Sequence, residues 1–125
     1  KEGPCKCIAI ELRDAEKLEN FRLSLLPWAE KERISMIYSS PIYLEFFPSA
    51  SGKGVALKTL CRLLHIHPYF SVAAGDAQND LSMIEASGMG IAMINGTEEV
   101  RFAATTITAF DNDHDGLAHT LADLI

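Results

Sequence analysis

From residue 54 onward the chain alternates short apolar runs with helical patterns, and no other feature limits its fold so strongly. Leu57, Leu60, Cys61 and Leu64 recur at i, i+3, i+4 and i+7, which predicts a helix over 54–65. A strand over 70–74, a helix over 79–87, a strand over 89–94, a helix over 97–103, a strand over 105–108 and a helix over 115–125 are expected after it. Such alternation builds βαβ units on a parallel, doubly wound sheet. Three strands are few for a sheet of that kind. A strand of the buried type would be left as an open edge.

The first part of the chain follows a different pattern. Residues 5–12 and 33–39 read as strands, and so do residues 42–47, with Ile42, Leu44 and Phe46 on one face. A helix is expected over 15–30, with Asp14 as N-cap and Leu18, Phe21, Leu25 and Trp28 as its apolar stripe. Pro27 should end or kink it. The order is β-α-β-β, and the last two strands are close enough to form a hairpin. Pro48-Ser49-Ala50-Ser51-Gly52 is a loop, which places a boundary near 48–52.

Composition excludes several classes of function. The net charge of −6 and the scatter of the 11 Lys and Arg residues argue against a nucleic-acid surface. No apolar run approaches membrane-spanning length. Lys1-Glu2-Gly3-Pro4 opens no signal-peptide core, so a cytoplasmic location is expected. Cys5, Cys7 and Cys61 read as reduced, inert thiols. In that setting the Asn95-Gly96-Thr97 sequon carries no meaning.

The chemistry concentrates in Gly75-Asp76-Ala77-Gln78-Asn79-Asp80, between an apolar run and a helical pattern. A strand-to-helix turn of this kind lies at the carboxyl end of a parallel strand, where ligands bind. Two carboxylates, an amide and free backbone N–H groups there suit Mg²⁺ and a phosphate. The same residues also suit plain helix capping, and both readings stand at this point.

Other motifs fall away on inspection. Around Gly52-Lys53, a phosphate loop would need Gly where Phe47 stands and Ser or Thr where Gly54 stands. Taken alone, Lys53 reads as a solvated lysine. Gly88-x-Gly90 precedes a strand instead of following one and lacks the third glycine of a dinucleotide fingerprint. Asp111 to Gly116 begins like a calcium loop, but its twelfth position is Ala122 and no helix precedes it. It reads as an acidic turn capping the last helix, whose stripe would be Leu117, Leu121 and Leu124. His65 and His67 sit at a helix end, where a helix dipole favours them. His114 and His119 have no evident partners.

Taken together, Tyr43-Leu44-Glu45, Lys53-Gly54, Gly75-Asp76-x-x-Asn79-Asp80, Ala92-Met93-x-Asn95 and Asp115-Gly116 resemble the Cof-type phosphatases of the haloacid dehalogenase superfamily. The likeness runs from about residue 40 to the C-terminus. It implies an α/β fold in which residues 49–125 form the C-terminal half of a Rossmann-like catalytic core. Residues 1–48 look like the C-terminal part of the family's α+β cap domain.

The resemblance further implies a Mg²⁺-dependent hydrolase of small phosphorylated metabolites acting through an aspartyl-phosphate. Lys53 matches the family's phosphate-neutralising lysine, Asp76 and Asp80 its late acidic metal motif, and Asn79 the phosphate-side amide of that motif. The implied catalytic pair is therefore Lys53 and Asp76, the phosphate ligands Lys53 and Asn79, and the metal ligands Asp76 and Asp80. The family's nucleophile and general acid/base lie in an Asp-x-Asp motif on a strand. Here the pattern occurs only at 111–115, on the acidic turn. The chain alone is thus expected to be inactive, with the missing N-terminal half, or self-association, completing it. A non-catalytic module that binds a metabolite phosphate or a protein is the alternative. Sugar phosphates and flavin- or pyridoxal-type phosphates are all open as substrates.

Overall fold

A computed structural model describes residues 5–124. The expectations for Lys1-Glu2-Gly3-Pro4 and for Ile125 lie outside the described residues. The chain divides into two compact units between Gly52 and Lys53.

The first unit contains β1 (Cys7–Ile10), α1 (Ala15–Glu32), β2 (Ile34–Ser40) and β3 (Tyr43–Pro48). β2 and β3 form the expected antiparallel hairpin, pairing Met36 with Phe46 and Tyr38 with Leu44. β1 lies antiparallel on the other side of β3, giving the order β1-β3-β2. Asp14 caps α1 as expected, its Oδ1 accepting from the Lys17 N–H at 2.9 Å.

The helix does not end at Pro27 but runs on to Glu32. Pro27 and Leu23 are both exposed, so the ring and the carbonyl it leaves without a donor face water. Burial along it follows the expected stripe only in part. Leu18 and Ala29 are buried, whereas Phe21 and Trp28 are close to half exposed. Leu25 and Leu26 lie between these extremes. The Glu19 carboxylate ties α1 to β2, accepting from Arg22 at 2.6 and 2.8 Å and from the Tyr38 hydroxyl at 2.9 Å. Arg22, then Tyr38, hold this carboxyl down at about 2.

The second unit contains α2 (Lys53–Leu63), β4 (Val72–Gly75), α3 (Leu81–Ala86), β5 (Met89–Ala92), α4 (Glu98–Ala103), β6 (Thr106–Ile107) and α5 (Gly116–Ala122). The strands form a parallel sheet in the order β4-β5-β6, as the alternation predicts. Ile84, Ala92 and Val100 form its core, with Ile91 fully buried beside them. Gly88 is a packing residue: a Cβ there would stand 1.6 Å from the Tyr69 carbonyl oxygen.

Several side chains of this unit depart from expectation. On α2 only Gly54 and Cys61 are buried, while Leu60 and Leu64 are more than half exposed. α5 ends at Ala122, so Leu124 lies beyond it and exposed. The histidines after α2 lie just past its last residue. His65 occupies a left-handed cap at φ 55°, and the Ile66 N–H closes back on the Cys61 carbonyl at 2.9 Å. His67 uses Nδ1 to accept from the Tyr69 N–H at 3.2 Å. Asp115 precedes α5 without a capping bond from its side chain. The cap in that turn is Asp111, which accepts from the Asp113 N–H at 3.1 Å and pairs with His114.

No helix among the described residues is long and apolar enough to cross a membrane.

Candidate functional site

β4 carries the chain to Gly75 at its carboxyl end, and a single 3-10 turn, Gln78–Asp80, leads into α3. The free N–H groups of such a turn need acceptors. Asp80 provides one by folding back: its Oδ2 accepts from the Asp76 N–H at 3.0 Å and the Ala77 N–H at 3.3 Å. That approach requires glycine at 75, where a Cβ would stand 2.3 Å from the Asp80 Cβ.

Asp80 is buried, and its other oxygen, Oδ1, accepts from the Lys53 ammonium. Lys53 is the first residue of α2, so this ion pair joins the start of α2 to the start of α3. Burial pushes the Asp80 carboxyl up. The Lys53 ammonium and the two backbone N–H groups outweigh it and hold the carboxyl below its ordinary range.

Asp76 is exposed at the strand end, and its carbonyl accepts from the Thr97 N–H at 2.8 Å. The loop after β5 is thereby fastened to the turn. Asn79 is half-buried between Asp76 and Asp80 in the chain. All four residues singled out from the sequence thus belong to one unit. The structure brings Lys53 and Asp80 into contact and seats Asp76 and Asn79 on the same turn. Capping accounts for the two backbone bonds of Asp80, but not for its ion pair with Lys53.

The donor set fits Mg²⁺, which takes one or two carboxylates and completes its shell with water and substrate oxygens. Asp76 offers an exposed carboxylate, and Asp80 retains acceptor capacity on Oδ1 beside Lys53. Among the described residues no group of three or more His, Cys, Asp or Glu is arranged to hold a metal ion. The calcium-like run from Asp111 forms a capped turn. Its neighbour Asn112 instead accepts from the Asn95 amide at 2.6 Å.

Sequence reasoning passed over Ser82, whose hydroxyl accepts from the Gly54 N–H at 3.2 Å. It also passed over Thr97 as the anchor of Asp76. No local pattern marks either contact, because each partner lies many residues away.

Comparison with known proteins shows the family. The family model for haloacid dehalogenase-like hydrolases matches residues 1–121. The chain is 36% identical over 94 residues to the phosphatase YwpJ of Bacillus subtilis, a match covering 75% of this chain and 33% of that protein. It is 33% identical over 112 residues to the 5-amino-6-(5-phospho-D-ribitylamino)uracil phosphatase YwtE of the same organism, covering 90% of this chain and 38% of the relative. A haloacid dehalogenase-like hydrolase of B. subtilis superposes on the whole chain with a TM-score of 0.84 at 28% identity, and 43% of that structure is covered.

The fold and these matches place the chain in the haloacid dehalogenase-like hydrolase family, in its Cof-type branch. It spans about two fifths of the length of the curated relatives it matches, 41% for the first of them.

Proposed function

We propose that this chain supplies the second half of the catalytic core of a Mg²⁺-dependent phosphatase, with residues 1–48 the closing part of its cap and residues 49–125 the core segment. The observation that carries this reading is the Lys53–Asp80 ion pair at the carboxyl end of β4. It sets a cation against Asp80, on the turn that also carries the Asp76 carboxylate and the Asn79 amide, the kinds of group that phosphoryl chemistry needs.

In this reading the Lys53 ammonium neutralises charge on the phosphoryl oxygens, and Asp80 aims it. The Asn79 amide donates to a phosphate oxygen. Asp76 and Asp80 would hold Mg²⁺, which when bound would stabilise the charge of the transferring group. The nucleophilic carboxylate and the general acid/base come from a further segment, and the substrate is a small phosphorylated metabolite. The likeness to YwtE and YwpJ, both named as phosphatases, supports the reaction class.

A second reading is a module that binds a phosphorylated metabolite without turnover. It is favoured by the place of the chain's own Asp-x-Asp pattern, which lies on the Asn112–His114 turn and not at a strand end. The test is Mg²⁺-dependent hydrolysis of p-nitrophenyl phosphate by the full-length protein, or by this chain reassembled with its N-terminal half. Asp76→Asn should lower turnover by roughly a hundredfold or more. Undiminished turnover in the variant would overturn the first reading. Mg²⁺-dependent binding with no turnover in the complete protein would establish the second.

A further inference from the structure

The start of α2 is held against α3 by two adjacent contacts. Lys53 reaches Asp80 through its ammonium. One residue on, the Gly54 N–H donates to the Ser82 hydroxyl at 3.2 Å. The first N–H groups of a helix have no partner within it, and side-chain oxygens that accept from them fix the helix start. Here the accepting oxygen comes from another helix, 28 residues along the chain. Gly54 is buried, and a Cβ on it would stand 2.4 Å from the Ser82 carbonyl oxygen and 2.8 Å from the carbon of that carbonyl. These are backbone atoms of α3 that cannot turn aside. The absent side chain and the accepting hydroxyl thus set the same close approach.

We propose that Ser82 is a positioning residue for Lys53: by capping the Gly54 N–H from α3, it fixes the start of α2 so that the Lys53 ammonium meets Asp80. The consequence for phosphate binding rests on the function proposed above, but the positioning itself does not. Ser82 touches neither the Lys53 ammonium nor the Asp80 carboxylate among the described contacts. Its effect runs through the backbone of α2.

The test measures the reactivity of individual lysines in this chain toward acetic anhydride, read by peptide mass spectrometry, with neither Mg²⁺ nor phosphate present. Ser82 is exposed on a helix, where alanine is well tolerated, so Ser82→Ala should fold. Lys53 should acetylate roughly fivefold faster in Ser82→Ala, the scale of one lost hydrogen bond. Lys17 and Lys58 should react at wild-type rates. Ser82→Thr, which keeps the hydroxyl, should restore protection of Lys53. Gly54→Ala, which displaces α2 from the other side, should expose Lys53 as Ser82→Ala does. An unchanged Lys53 rate in Ser82→Ala would overturn the proposal. So would a Ser82→Thr protein that reacts like Ser82→Ala. Loss of the proposed phosphatase activity would leave all these rates untouched, so the two failures are distinguishable.

Discussion

Asp80 serves two neighbours at once, and its substitution should be felt by both. With Asp80→Asn, Lys53 loses its counter-charge and an amide N–H₂ group faces donors that the carboxylate used to accept. A loss of about 2 kcal/mol in unfolding free energy is expected, readable by urea denaturation at neutral pH. The carboxyl is held below its ordinary range in the folded protein, so its contribution is complete above the unfolded aspartate value. It disappears as pH falls through the folded value. The stability gap between wild type and Asp80→Asn should therefore narrow below about pH 4. A gap that stays constant down to pH 2 would show that the ion pair contributes nothing in the folded state. Asp76, Asn79 and Asp80 could be singled out in the sequence because they follow a strand end at fixed spacings, whereas Lys53 was singled out only through the family resemblance. Ser82 was not, since a helix surface serine that caps a distant helix looks like any other.

At the scale of elements, both local departures from expectation can be measured. Pro27 sits inside α1 with its surroundings in water, so Pro27→Ala should restore one helical hydrogen bond without opening a cavity. A gain of about 1–3 kcal/mol in thermal or urea unfolding is expected. His65 holds a left-handed conformation that glycine adopts freely. His65→Gly should raise stability by up to about 1 kcal/mol, and a lower melting temperature would contradict the cap assignment. The order of strands and helices was legible from periodicity, including the β2–β3 hairpin and the parallel sheet. The buried face of α1 was not. Ala29 adds little to a hydrophobic stripe yet is buried, while the larger Trp28 is close to half exposed, as is Phe21 even with its ring edge-on against Phe46. α2 repeats the lesson, with Gly54 and Cys61 inward and Leu60 and Leu64 outward.

On the scale of the whole molecule, the sheet of the second unit ends at β4, whose outer edge pairs with no strand among the described residues. In β4 and the segment leading into it, Leu63, Leu64, Tyr69, Phe70 and Val72 are all more than half exposed. An open parallel edge beside apolar surface seeks a partner. Sedimentation velocity on the chain alone should show concentration-dependent association, and a sharp monomer at every concentration with a cooperative melt would contradict this. The sequence foreshadowed the edge through its small number of strands.

The central claim is that the Gly75–Asp80 turn and Lys53 together form a Mg²⁺ and phosphate site. Its most direct test is a nuclear magnetic resonance titration of the chain with MgCl₂ and inorganic phosphate, in wild type and Asp76→Asn. Saturable, Mg²⁺-dependent shifts at Asp76, Asn79 and the Lys53 side chain, abolished in Asp76→Asn, are the predicted result. Shifts absent from this turn, or unchanged by the substitution, would contradict it.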